Sequence, residues 1–212
     1  MSTGVVPREV DLDGADHPKV VSYADVLSGA VTVGKRAAVI GAGGIGVDVS
    51  PFLTHDPADT TEDWMQHWGV GDSAVHPGGV TEKKPRTPVR EVFLLQRKAS
   101  TIGKGLGKTS GWAHRTVLKD SGVQMIPGVT YDRVSDAGLH ITVTDKDGGT
   151  SSRVLDVDHV VVCAGQESVR GLHDELAGRD GVHLVGGADV AAELDAERAI
   201  AQGTTTVAAL AG

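Results

Sequence analysis

The stretch that decides the fold is residues 39–46, Val39-Ile40-Gly41-Ala42-Gly43-Gly44-Ile45-Gly46. Its glycines at 41, 43 and 46 have the G-x-G-x-x-G spacing of a turn that joins a buried strand to a helix. The first glycine permits a tight turn, the second lets a pyrophosphate approach the backbone, and the third lets the helix pack closely. We call residues 41–46 the glycine turn. All six are candidate contacts to a dinucleotide cofactor, and a glycine-rich turn without a ligand is the alternative.

The apolar runs around the glycine turn predict an α/β fold, a Rossmann-like parallel sheet with an antiparallel three-strand meander. Buried parallel strands are predicted at 37–40, 92–95, 125–126, 159–163 and 182–185. The meander is predicted at 129–134, 138–144 and 152–157, where Gly and Asp turns separate alternating segments. Helices are predicted at 22–27, 109–121 and 188–203.

The region after the glycine turn departs from a regular α/β pattern. Pro51 lies in the helix that follows, so this helix is expected to be kinked or very short. Residues 54–90 are polar and rich in Pro and Gly, with one helical turn predicted at 63–68. So long an irregular stretch indicates either a functional flap or partner surface, or a tolerated surface insertion. Both interpretations remain open.

The end of the second strand indicates which nicotinamide nucleotide is bound. NAD-binding proteins usually place Asp or Glu there, where it accepts from the ribose 2′-hydroxyl. This chain instead has Leu94-Leu95-Gln96-Arg97-Lys98. A guanidinium and an ammonium suit a 2′-phosphate, so Arg97 and Lys98 predict NADPH. A solvated basic pair at a strand end is the alternative.

Composition narrows the classes of function. The chain has 212 residues, 40% hydrophobic and 3% aromatic, and a net charge of -8. That charge argues against binding nucleic acid or an anionic membrane surface. The chain has no apolar run of about 20 residues to span a bilayer, and its N-terminus has no apolar signal core, so a cytoplasmic setting is expected. One cysteine, Cys163, excludes an internal disulfide and an iron–sulfur cluster held by this chain alone.

The remaining sequence patterns indicate neither a catalytic residue nor a metal site. The stretch 103–109 resembles a phosphate-binding P-loop, but Ile102 stands where that motif requires glycine. Lys104 and Lys108 of this loop are candidates for phosphate contact only. The nine histidines lack metal-ligand spacing, and no serine lies in a G-x-S-x-G elbow. Cys163 is most simply a small buried hydrophobic residue.

Seven stretches closely resemble the C-terminal third of bacterial NADPH-dependent 2,4-dienoyl-CoA reductases. They are Gly4-Val5-Val6-Pro7-Arg8, residues 16–23, the glycine turn, Leu95-Gln96-Arg97-Lys98-Ala99-Ser100, and residues 105–115, 162–167 and 183–203. The resemblance implies an oxidoreductase of fatty acid β-oxidation, with the NAD(P)-binding domain of flavoproteins that hold two dinucleotides. In that family electrons pass from NADPH to FAD, through an iron–sulfur cluster, to FMN and the dienoyl thioester.

The resemblance also implies domain bounds and further cofactor contacts. Residues 35–165 correspond to the NADPH domain, and 1–34 and 166–212 correspond to parts of the FAD domain. Ala164 and Gly165, which end the fourth strand, are candidate cofactor contacts. Asp189 matches the family's acidic residue at the ribityl–phosphate region of FAD.

The departures from the family predict that this chain cannot reduce a dienoyl-CoA alone. A (β/α)₈ barrel needs roughly 250 residues, and the four thiolates and FAD's own glycine turn are missing. We therefore expect NADPH binding, a partial FAD site that does not retain flavin, and a separate chain carrying the FMN barrel, the cluster and the rest of the FAD domain. A stand-alone NADP(H)-binding module, a truncated fragment without turnover, and a binder of another dinucleotide remain alternatives.

Overall fold

The computed structural model describes residues 1–192 and 194–210, and these form ten strands and six helices. The strands are β1 (Val5–Pro7), β2 (Val20–Ser22), β3 (Arg36–Ile40), β4 (Glu91–Gln96), β5 (Gln124–Pro127), β6 (Val129–Ser135), β7 (Gly138–Thr144), β8 (Thr150–Leu155), β9 (His159–Val162) and β10 (Gln166–Ser168). The helices are α1 (Tyr23–Leu27), α2 (Gly44–Thr54), α3 (Thr61–Trp68), α4 (Gly111–Asp120), α5 (Gly171–Glu175) and α6 (Ala196–Leu210). Short 3₁₀ turns lie at Pro77–Gly79 and Gly186–Ala188.

The chain divides into two compact units. The larger unit is Val10–Cys163, and the smaller unit combines Met1–Glu9 with Ala164–Gly212. Residues 10–34 thus belong to the same compact unit as the glycine turn, and this unit ends two residues before position 165. Binding of NADPH by residues 35–165 and of FAD by residues 1–34 and 166–212 stays a prediction. None of the described helices combines the length and hydropathy needed to span a lipid bilayer.

The larger unit contains a five-stranded parallel sheet in the order β2-β9-β3-β4-β5. Its central strands form because short runs of Ala, Val, Ile and Leu can be covered on both faces, as parallel strands require. The side chains of Val39, Leu94 and Val161 are fully buried in the core. The predicted α/β class with a parallel sheet is confirmed.

The predicted meander is also present in the larger unit. β6, β7 and β8 form a separate antiparallel sheet in that order. On β7, Leu139 and Ile141 are fully buried, whereas the Thr142 hydroxyl donates to the Asp132 carboxylate at 2.9 Å and lies 3.0 Å from the Ser152 hydroxyl, with which it forms a hydrogen bond. This alternation of apolar and polar residues is the period of a strand with one covered face.

Pro51 predicts that helix α2 is kinked or very short, and the second of these two outcomes is wrong. The helix runs for 11 residues, from Gly44 to Thr54, and continues past Pro51. The proline removes one backbone donor, but Val47, Val49 and Leu53 are almost fully buried on both sides of it. Burial of these side chains stabilises the helix more than the lost bond destabilises it, because each contributes about 1.5–3 kcal/mol.

The segment 54–90 is more ordered than the sequence indicates. Its helix α3 has eight residues rather than one turn, because Thr60 and Asp63 form a capping box at its start. Farther along, the backbone of Gly71 donates to Gly79 at 2.9 Å, and that of Thr81 donates to Gly69 at 2.8 Å. These bonds close a compact loop after α3.

The smaller unit contradicts two expectations. Residues 182–185 form no described strand, and their backbone contacts are with Met1, which accepts from Val185 at 3.0 Å. The last helix begins at Ala196 and not at about 188, because the Asp195 carboxylate accepts from the backbone of Arg198 at 2.8 Å and caps it there. β1 and β10 pair antiparallel in this unit. Glu193, part of a stretch that resembles the reductases, lies outside the described residues, as do 211 and 212.

Candidate functional site

The glycine turn lies at the carboxyl end of β3, in the middle of the parallel sheet. The chain continues from β3 to β4 on one side, and β9 lies against β3 on the other side. Strand order therefore reverses at β3. In open α/β sheets, ligands bind in the crevice at the carboxyl ends of the strands at such a switch point.

Two glycines of the turn are required by its backbone geometry. Gly41 has a φ of +103°, in the region that favours glycine, and its N–H donates to the Leu95 carbonyl at 3.1 Å. A Cβ built on Gly46 lies 1.8 Å from the Gly41 carbonyl oxygen. The close contact between the start of α2 and the end of β3 therefore excludes any side chain at position 46.

The other side of the glycine turn is open. A Cβ built on Gly43 or on Gly44 has no heavy atom within 4 Å, whereas Ala42 and Ile45 pack against the core. Gly43 is the N-cap of α2, so the first amides of the helix lack intrahelical acceptors there. This is a cradle that fits a diphosphate, because helix N-termini offer donors and a positive dipole end to anions.

Arg97 and Lys98 follow β4 beside the glycine turn. The register pairs Ile40 with Leu95, so residue 97 lies just beyond the strand ends. The Gln96 side chain shapes this bend by donating to the carbonyls of Lys98 at 2.8 Å and Ser100 at 2.7 Å. Arg97 and Lys98 are exposed, and neither forms an ion pair within residues 1–192 and 194–210. Both cations are thus available to an anionic ligand.

Tyr131 is a residue of this region that the sequence analysis missed. Its hydroxyl donates to the Leu95 carbonyl at 3.2 Å, the same oxygen that accepts from Gly41. Burial raises the pKa of Tyr131 to about 12, against the lowering effects of the Arg97 cation and a hydrogen bond with the Gly41 backbone. The phenol stays protonated and ties β6 of the meander to the end of β4. No sequence motif assigns Tyr131 to this region, because it lies 90 residues from Gly41 along the chain.

Cys163 directly follows β9, which lies on the side of β3 opposite to β4. Its backbone donates to the Ile40 carbonyl at 2.8 Å, and its side chain is buried. Burial raises the pKa of the Cys163 thiol to about 12. The protonated thiol is a poor nucleophile, in keeping with a packing role.

The remaining candidate residues lie in the smaller unit. The Gly165 carbonyl accepts from the backbone of Arg8 at 3.3 Å, and Ala164 is half-buried. Asp189 accepts from the Gln202 amide at 2.6 Å, while Gln202 also accepts from the backbone of Gly186 at 2.7 Å. The Asp189 carboxylate is therefore oriented by its own unit. Contact of Ala164, Gly165 and Asp189 with a cofactor stays a prediction.

Neither the loop before α4 nor the acidic and histidine side chains indicate a further site among the described residues. Lys104 and Lys108 are exposed on the loop before α4, and His114 on α4 lies 3.5 Å from the Asp48 carboxylate on α2. Among the residues that the structure describes, no three His, Cys, Asp or Glu side chains cluster as metal ligands do.

The chain belongs to the pyridine nucleotide-disulphide oxidoreductase family, whose model matches residues 1–195. The family binds FAD and NAD(P), and the parallel sheet and the antiparallel three-strand sheet of this chain are consistent with its fold.

Solved structures share the fold. A 2-naphthoyl-CoA reductase in complex with 2-naphthoyl-CoA is 19% identical with a TM-score of 0.69, over 95% of this chain and 25% of that one. A 6-hydroxypseudooxynicotine amine oxidase from Pseudomonas geniculata is 17% identical with a TM-score of 0.63, over 96% and 27%. The HOCl-induced flavoprotein disulfide reductase of Escherichia coli is 15% identical with a TM-score of 0.57, over 96% and 42%. The chain therefore covers between 25% and 42% of the length of these three proteins.

Proposed function

We propose that this chain is the NADPH-binding part of a flavin-dependent reductase and that it delivers the hydride of NADPH to FAD. One observation carries the proposal: the glycine turn and the Arg97–Lys98 pair lie together at the switch point of the parallel sheet. The turn offers amides to the diphosphate, and the two cations offer charge to the 2′-phosphate of the adenosine. Family membership supports the flavin as the hydride acceptor.

The choice of NADPH over NADH rests on charge. NAD-binding sites place a carboxylate at the end of the second strand, where it would repel a 2′-phosphate. Gln96, Arg97 and Lys98 occupy this position here, and the Gln96 side chain is engaged with the loop backbone. Both cations therefore remain for the phosphate.

Among flavin-dependent reductases, we propose that the chain belongs to a 2,4-dienoyl-CoA reductase-like enzyme of the cytoplasm. This proposal is supported by the seven stretches that resemble those reductases, and the fold also occurs in a reductase of another CoA thioester. We propose that the chain works with an FMN barrel, an iron–sulfur cluster and the rest of an FAD domain, none of which lies within these 212 residues. Asp189, oriented by Gln202, is the residue of the smaller unit that we assign to FAD. Alone, this chain is proposed to bind NADPH, to retain no flavin and to reduce no dienoyl-CoA.

Calorimetric titration with NADPH and with NADH tests the nucleotide assignment. We expect NADPH to bind at least about tenfold more tightly, a difference of about 1.4 kcal/mol, because the 2′-phosphate contacts two cations. Binding is also expected to weaken with added salt, since both cations are exposed. Equal affinities would refute the 2′-phosphate contact, and no binding of either nucleotide would refute the site itself.

A further inference from the structure

The basic residues of this acidic chain are concentrated around β4 and α4. Residues 92–119 contain six of the 20 Lys and Arg residues and none of the 28 Asp and Glu residues, although the whole chain has a net charge of -8. Two of the six are the Arg97–Lys98 pair of the nucleotide site. Two more, Lys104 and Lys108, lie in the loop that leads from this pair to α4. A concentration of one sign of charge raises the local concentration of ions of the opposite sign.

The loop that carries these two lysines is held against the protein by apolar side chains. It comprises residues 101–110, and we call it the lysine loop. Ile102 is a buried member of the core, and Leu106 packs against the same core cluster as Ala42 and Ile45 of the glycine turn. The lysine loop and the glycine turn are therefore anchored to one hydrophobic core.

The two ammonium groups of the lysine loop are accessible to solvent. Lys104 and Lys108 are exposed, and each lies two residues after an anchoring apolar side chain. Among the described residues, neither ammonium pairs with a carboxylate. Arg115 differs from them, because its guanidinium donates to the Gly103 carbonyl at 3.0 Å and supports the loop from α4. The two lysines thus keep their charge for an anion in the surrounding water.

The lysine loop ends close to the N-terminus of α2, where the glycine turn offers its amides. His114, the fourth residue of α4, lies 3.5 Å from the carboxylate of Asp48, the fifth residue of α2. Farther along the two helices, Val117 and Phe52 line one cavity. The helices therefore run side by side in the same direction and begin within about one turn of each other, roughly 5 Å along the axis. Lys108, three residues before α4, lies at this common end.

We propose that the lysine loop steers NADPH towards its site, with Lys104 and Lys108 attracting the phosphates through water before Arg97 and Lys98 contact them. The inference rests on the nucleotide site proposed above, and the loop forms no site of its own. A phosphate monoester carries a charge of about -1.5 to -2 at pH 7, so the 2′-phosphate makes the attraction stronger for NADPH than for NADH. Lysine suits this role because its ammonium is a compact, hydrated charge on a flexible stem.

Steering acts on the rate of association and leaves the bound state almost unchanged. Charges near a site change the association rate constant and its dependence on salt, whereas groups that contact the bound ligand change the dissociation rate constant. Lys104 and Lys108, as steering charges, are therefore distinguished from Arg97, as a contact, by which rate constant a substitution changes.

Stopped-flow measurement of NADPH binding, followed by the fluorescence of the nicotinamide, tests this role. We expect Lys104→Gln combined with Lys108→Gln to lower the association rate constant about threefold at an ionic strength of about 0.1 M, where the Debye length is about 10 Å. The dissociation rate constant is expected to change less than about twofold, because the contacts of the bound nucleotide remain. A smaller reduction is expected for NADH, and the effect on NADPH is expected to vanish near 1 M salt, where the Debye length is about 3 Å.

Two lysines at the opposite edge of the sheet supply a control for net charge. Lys35 directly precedes β3 and Lys119 lies at the end of α4, and both are exposed. The five residues of β3 separate Lys35 from the glycine turn, a distance of about 16 Å that exceeds the Debye length. Lys35→Gln combined with Lys119→Gln is therefore expected to leave the association rate constant within a factor of about 1.5 of its original value.

The possible outcomes separate the steering role from the nucleotide site. An unchanged association rate constant in the lysine-loop variant, an effect confined to dissociation, or the same effect in the control variant would overturn the steering role and leave the nucleotide site in place. Failure of the unaltered protein to bind NADPH would instead overturn the nucleotide site and the inference with it. Because all the substituted lysines are exposed, the midpoint of thermal unfolding is expected to be the same in both variants, which excludes loss of the fold as a cause.

Discussion

Gly46→Ala is expected to lower the free energy of unfolding by about 3 kcal/mol, the upper part of the range for forcing extra volume into a packed site. The new methyl group would lie 1.8 Å from the Gly41 carbonyl oxygen, and that oxygen belongs to the backbone rather than to a flexible side chain. Relief requires α2 to move away from β3, which also disturbs the buried Val47 and Leu53. The midpoint of thermal unfolding should fall by roughly 10 °C.

Gly43→Ala is the matched control for this substitution. It makes the same chemical change three residues earlier, where a Cβ meets no atom within 4 Å and the φ of -78° suits alanine. We expect the thermal midpoint to stay within a few degrees of the unaltered protein, while NADPH binding weakens at least about tenfold as the methyl group enters the space assigned to the diphosphate. If both variants unfolded alike, or if Gly43→Ala bound NADPH normally, the assigned roles of the two glycines would be wrong.

Arg97→Glu is expected to abolish the preference for NADPH while leaving NADH affinity within about threefold of its original value, a difference of less than 1 kcal/mol. The substitution removes the planar donor and places a carboxylate near the 2′-phosphate, whereas NADH has a hydroxyl there that a carboxylate accepts from. Because Arg97 is exposed, the fold is expected to be unchanged. Calorimetric titrations with both nucleotides measure the ratio of affinities.

Arg153→Glu controls for the change in net charge. Arg153 is exposed on β8 of the meander, so this variant alters the charge by the same amount outside the site. It is expected to keep the preference for NADPH. If Arg153→Glu lost the preference as Arg97→Glu does, a general electrostatic effect would replace the specific contact.

The parallel sheet and the meander were predictable because their signals are local. β3, β4 and β9 are short apolar runs, and the meander alternates polar and apolar residues between turns. The glycine spacing also predicted the strand-to-helix turn. In these cases the residues that determine the structure lie within the element itself.

The errors arose where capping or tertiary packing decides the structure. Helix α3 is longer than predicted because of the Thr60–Asp63 capping box, and α6 begins later because Asp195 caps it. Residues 182–185 have a strand-like composition but no neighbouring strand to pair with among the described residues. In α2, burial of neighbouring side chains outweighs Pro51.

The candidate site was predictable only in part. The glycines and the Arg97–Lys98 pair are marked by motif and position, and the sheet register brings them to the same edge. Tyr131 carries no such mark, since its role depends on Gly41 and Leu95, which are distant in the sequence. Only the packed structure shows that its phenol donates to the Leu95 carbonyl.

A crystal structure of the protein with NADP⁺ tests the central claim most directly. We expect the diphosphate to lie against the amides of residues 43–45 and the 2′-phosphate to lie within hydrogen-bond distance of Arg97 and Lys98. A nucleotide bound elsewhere, or one whose 2′-phosphate points away from both cations, would contradict it.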